Sequence, residues 1–151
     1  MSSSYTRGQI INFLTANAPT ETQVDLTAHY EDLEDILADF SLTDESSWLG
    51  IQFIGSDEIP VSVVANNSKG YYRETGAIFL HVVAPAKAGV AADILTRGEA
   101  LQALFRGRRI GEVVVEGVTP PNFEASSTLQ FEGGFTSASV IVNYHRDLSL
   151  N

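Results

Sequence analysis

Residues 75 to 107 constrain the fold more than any other stretch: an apolar run, a proline-marked break and an amphipathic segment follow one another directly. Ala77-Ile78-Phe79-Leu80-His81-Val82-Val83-Ala84 is apolar on both faces except at His81. A central strand covered on both sides requires that pattern. Pro85 through Gly89 interrupt it. From Val90 the apolar positions Val90, Ile94, Leu95, Leu101, Leu104 and Phe105 recur at helical spacing, and Gly107 stands where a left-handed cap is expected. Gly98 inside this helix costs about 1 kcal/mol relative to Ala, which a close approach to the sheet or to another subunit would explain.

The N-terminal segment carries a helix start signal. Thr6 at N-cap and Gln9 at N3 have the spacing of a capping box, with Tyr5 and Ile10 at the staple positions. Ile10, Ile11, Phe13 and Leu14 supply an apolar stripe, and Asn17-Ala18-Pro19 is expected to end the helix. A short strand is expected near Gln23 to Leu26. Tyr30, Leu33, Ile36, Leu37 and Phe40 then predict a second helix over about 29–40 with an acidic outer face. After a loop over 41–47, Trp48 to Ile54 and Ile59 to Val64 read as a hairpin around Gly55-Ser56-Asp57-Glu58, with Pro60 pushing its strand towards an edge or a bulge. Residues 65–70 are turn-forming.

In the C-terminal third, Val113 to Val115 suggest a strand closed off by Pro120-Pro121. Phe123 to Glu132 alternate apolar and polar, and Gly133-Gly134 is a two-residue hairpin signal. The register that keeps one face apolar sets Leu129 opposite Ala138, Ala125 opposite Val142 and Phe123 opposite Tyr144. The elements predict one α+β domain over 1–151: a mixed, mainly antiparallel sheet packed by the N-terminal helix and a longer helix at about 90–106.

The net charge of −10 is unevenly placed: residues 21 to 58 hold eleven of the nineteen acids and no Lys or Arg. Such a field repels phosphate backbones, so DNA is expected to pass without specific binding. A solvated acidic face explains it, as does a surface beside a DNA path. With no cysteine, thiolate metal sites, disulfides and thiol nucleophiles are excluded. The start has no basic segment followed by an apolar one, and no apolar run reaches membrane-spanning length, so neither export nor membrane insertion is expected.

Catalytic chemistry finds little footing. His29, His81 and His145 are far apart in sequence, and no nucleotide-binding, metalloprotease or nucleophile-elbow motif occurs. His81 reads as a core or interface histidine with a local hydrogen bond. Arg106, Arg108 and Arg109 cluster at the end of the long helix. They suit the negative end of its dipole, and equally an acidic partner such as the 21–58 region of a neighbouring subunit. No metal, cofactor or catalytic residue is expected.

Tyr72-Arg73-Glu74-Thr75-Gly76, Val83-Ala84-Pro85, the helix from Ala92 to Gly107 and the apolar Val140-Ile141-Val142-Asn143-Tyr144 occur in an order that resembles the tail terminator proteins of long-tailed bacteriophages and phage-like gene transfer particles. The resemblance covers residues 70 to 148 and, loosely, 5 to 17. It implies a tail-tube-like fold and a structural virion protein. Such proteins form a homohexameric ring on the last ring of the tail tube, end its polymerisation and present the other side to the head–tail connector or neck. By the same analogy the contact elements are the 65–75 loop and the 123–144 hairpin. With the arginine cluster, the candidate interface residues are Lys69, Tyr71, Tyr72, Arg73, Glu74, Arg106, Arg108, Arg109 and Phe135, the last reading equally as a covered core residue. The alternatives are another neck or tail tube component and, from a different class, a small acidic enzyme or ligand-binding domain. The latter needs a concave pocket with convergent polar groups near His81 or His145.

Overall fold

A computed structural model describes residues 4–21, 25–30, 48–60, 71–85, 89–123 and 135–149. The elements are α1 (Ser4–Glu21), β1 (Asp25–Tyr30), β2 (Trp48–Pro60), β3 (Tyr71–Pro85), α2 (Val90–Phe105), β4 (Arg109–Ile110), β5 (Val113–Val118) and β6 (Phe135–Ser149). The six strands form one sheet in the order β1-β2-β3-β6-β5-β4. β1 runs parallel to β2 and every other pairing is antiparallel, so the domain is α+β with a mixed, mainly antiparallel sheet.

β3 is central because its residues suit burial on both faces. Ile78, Leu80, Val82 and Ala84 alternate onto one face, beside Leu49 and Ile51 of β2 and Ala138, Val140, Val142 and Tyr144 of β6. Ile10 and Leu14 of α1 and Ile94, Leu101, Leu104 and Phe105 of α2 join the same cluster. Both helices therefore lie on this face. Each fully buried Leu, Ile or Phe contributes about 1.5–3 kcal/mol of transfer free energy, and no other grouping of the described residues offers a comparable core. Phe13 meets Phe105 edge to face at 5.2 Å, fastening one helix to the other.

Residues 75–85 and 90–107 fold as their pattern predicts, as the second half of β3 and as α2 with its glycine cap. α2 ends at Phe105, and Gly107 adopts a φ of 65° just beyond it. A Cβ on Gly98 would lie 2.7 Å from the Pro121 Cβ and 3.6 Å from Val140 Cγ2, so this glycine lets α2 settle against the residues following β5 and against the sheet. Pro120 and Pro121 follow β5 closely.

Five expectations are corrected. α1 begins at Ser4, which places Thr6 and Gln9 inside the helix. The Thr6 hydroxyl donates to Glu74 instead of capping, and the Gln9 side chain rests over Gly111. The helix also continues past Pro19 to Glu21, since a proline so near a helix end forfeits only one of the last main-chain bonds. The hairpin around residues 55–58 is instead one strand: β2 pairs with β3 from Trp48↔Val83 to Pro60↔Tyr72. β3 is long enough to offer a partner throughout, and Gly55 is absorbed where the register shifts between Ile54 and Ser56.

The C-terminal register is different as well. Val142 pairs with Ile78 on one side and Val118 on the other, and Tyr144 pairs with Gly76 and Val115. A strand has only two edges, so Ala125 and Phe123 cannot be their partners. Asn122 bridges Ser139 instead, and Phe123 is exposed. Finally, Tyr30, expected to open a second helix, belongs to β1, whose range overlaps and extends past the strand expected near residues 23–26. The rest of that helix, the 41–47 loop, the 65–70 turn and the Gly133-Gly134 turn lie outside the described residues.

Candidate interface at the two ends of the sheet

The starts of β3 and β6 lie at opposite ends of a ribbon of two fully paired 15-residue strands. Tyr71 stands opposite Ser149, and Phe135 opposite Pro85. At about 3.3 Å per residue the two groups of candidate contact residues are separated by about 45 Å along the strands.

At the Tyr71 end, register and chemistry gather charge. Arg73 donates from Nε to Asp147 Oδ1 at 2.7 Å and from Nη2 to Oδ2 at 3.1 Å. This bidentate pair links neighbouring cross-strand positions of β3 and β6. The Arg73 hydrogen bond, with smaller help from the charges of Arg73, His145 and Arg109, holds the Asp147 carboxyl below its ordinary range, and the same bond raises Arg73. His145 Nδ1 lies 2.7 Å from Glu116 Oε1 on the same face. On the helix-covered face, Arg146 bonds Glu112 at 3.1 Å and sits 3.9 Å from the centre of the Tyr5 ring, whose hydroxyl accepts the Glu112 N–H.

The candidate residues divide accordingly. Arg73 is partly exposed and fixed by Asp147, and Tyr72 is half-buried between Pro60 and Leu148 in the register. Glu74 turns inward: it is 4% exposed and accepts the Thr6 hydroxyl at 2.6 Å. Tyr71 to Glu74 are strand residues rather than loop, because β2 and β6 pair with them on both sides or, at Tyr71, on one. Lys69 lies outside the described residues. Phe135 opens β6 at the far end.

The arginines after α2 are exposed. Arg108 donates to the Leu104 carbonyl at 3.1 Å, as the helix-dipole expectation requires, and stacks 5.8 Å from the Phe13 ring centre. Arg109, in β4, donates to the Gly111 carbonyl at 3.2 Å. Asp147, Glu112 and Glu116 could be found only with the β3–β6 and β5–β6 registers, and no local pattern in the sequence carries those.

The buried histidine is self-contained. His81 is fully covered, its Nδ1 accepting from the Ser139 hydroxyl and its Nε2 donating to Gln52 Oε1 at 3.1 Å. Burial pushes its pKa down to about 4, so the ring is neutral near pH 7. A surface groove of about 660 Å³ is lined by Leu95, Thr119, Pro120, Pro121, Asn122 and Phe123, and it includes neither His81 nor His145. Among the described residues, no group of three or more His, Asp or Glu could hold a metal ion, and no helix is long and apolar enough to cross a membrane.

No protein-family model matches the chain, and no curated protein matches it.

Proposed function

We propose that this chain is a tail terminator: a structural virion protein whose copies ring the end of a tail tube, stop its growth and form the joint to the head or neck. The observation that carries this is the 45 Å separation between the charged Tyr71 end and the Phe135 end of the sheet. A terminator needs two unlike surfaces, one that continues the tube contact and one that refuses a further tube ring. A sheet with two well-separated ends can present one surface to each partner.

The stretch that carries the resemblance also coheres in three dimensions. Tyr72 to Gly76 and Val83 to Pro85 are the two ends of β3, Ala92 to Phe105 is most of α2, and Val140 to Tyr144 lies in β6 against β3. The work is done by shape, with no substrate transformed. Its partners are further copies in a homohexamer, the tube protein and the connector, with DNA passing without specific binding. Its place is the head-proximal end of the tail.

Deleting the gene from its virus or transfer particle tests this. Overlong or headless tails are expected, and particles of normal form and tail length would overturn it. Spontaneous long tubes from the purified chain would favour a tube protein instead.

A further inference from the structure

Exposed Arg108 and Arg109 lie at one outer edge of the sheet and exposed Glu58 at the other, within one residue of the same height. Arg109 of β4 pairs with Val114, Val114 with His145, His145 with Thr75, and Thr75 with Asp57 of β2. Arg109 and Asp57 are thus the two ends of one cross-strand row, about 19 Å apart across five strands. Beside Arg109 stands exposed Arg108, and beside Asp57 stands exposed Glu58. β4 is the last strand on its side. On the other side β1 pairs with β2 only between Trp48 and Gly50, so among the described residues β2 is outermost from Ile51 to Pro60.

Resting on the ring proposed above, we infer that copies of this chain meet edge to edge: Arg108 and Arg109 of one copy against the β2 edge of the next at Glu58. The occupant of each edge is a second copy, because the charges are complementary and the complement sits on the opposite edge of the same molecule. Such a contact is head-to-tail, and it closes into a ring only when the step from copy to copy has no rise along the axis. Edges that match at one height along the strands meet that condition for an axis running along the strands. Edges at different heights would generate a helix. The same charges also keep two β2 edges, or two β4 edges, from pairing with each other.

Charge exchange tests the contact. Arg108→Glu/Arg109→Glu and Glu58→Lys are each expected to abolish self-association in sedimentation at low salt. An equimolar mixture of the two is expected to assemble, since every junction in an alternating ring is again complementary. Wild-type association should weaken about tenfold or more as the Debye length falls from about 10 Å at 0.1 M salt to about 3 Å at 1 M. The chain has no cysteine, so Glu58→Cys/Arg109→Cys offers only those thiols to a short bismaleimide, and a ladder of covalent multimers is expected.

Undiminished assembly of either single-edge variant overturns the contact. So does failure of the mixture to assemble, or a wild-type monomer whose cysteine variant gives no ladder. Rings that survive both charge reversals leave the terminator function standing without this edge. A salt-sensitive edge contact in a chain whose deletion leaves tails normal does the reverse.

Discussion

Thr6 and Glu74 meet across 68 positions of sequence, the threonine hydroxyl donating at 2.6 Å to a carboxyl oxygen that is almost entirely covered. The bond ties the first turns of α1 to the charged end of β3. Thr6→Val keeps the shape of the side chain but leaves the carboxyl without this donor, so it is expected to cost about 2 kcal/mol. Urea unfolding reads the loss. A variant as stable as the parent would mean that the bond contributes nothing.

Two glycine-to-alanine changes should move stability in opposite directions. Gly8→Ala, exposed in α1 with nothing within 4 Å of the new methyl, should gain about 0.5–1 kcal/mol from helix propensity. Gly98→Ala drives its methyl to 2.7 Å from Pro121 and should lose about 1–3 kcal/mol despite the same propensity. Thermal melts of the pair decide it, and stabilisation by Gly98→Ala would mean that α2 does not approach Pro121 so closely.

His81 makes stability depend on acidity. In the unfolded chain its pKa is near 6.5, and in the fold it is about 4. Between those values the unfolded state binds more protons, so falling pH favours unfolding. The histidine's contribution is complete above pH 6.5 and is lost as pH drops towards 4, a change of about 3 kcal/mol. His81→Gln should be less stable at pH 7 yet lose less on acidification. Denaturant titrations of both proteins at pH 7, 5.5 and 4.5 check this, and parallel curves would remove His81 from the cause.

What the sequence made legible were features whose cause is local or periodic. The apolar run around His81 forced a central strand, and helical spacing from Val90 marked α2 to its glycine cap. Gly98 and His81 declared themselves by being costly where they stand. Thr6 misled because the spacing of a capping box is a local coincidence, while its real acceptor belongs to a distant strand. Gly55 carried turn chemistry that a long partner strand overrode as a register shift. The C-terminal register failed for a related reason: alternation along β6 correctly marked its buried face, but it could not show that β3 and β5 already hold both edges of Val142 and Tyr144. The charged cluster around Asp147 was invisible for want of those same pairings.

Phe135 and Arg73 belong to opposite ends of the sheet and should therefore fail differently. Phe135→Ser and Arg73→Glu are each expected to leave the far-ultraviolet circular dichroism unchanged. One should impair attachment to the tube and the other attachment to the neck. Pull-downs against the two partners separate them, and identical binding defects in both variants would contradict the division of labour between the ends.

The central claim is that copies of this chain cap a filament. Electron microscopy of growing tail tubes, with and without the purified protein, tests it most directly. One extra ring at a single end of each tube, with growth halted there, is the expected result. Tubes that keep lengthening in its presence, with no added density at either end, would contradict it.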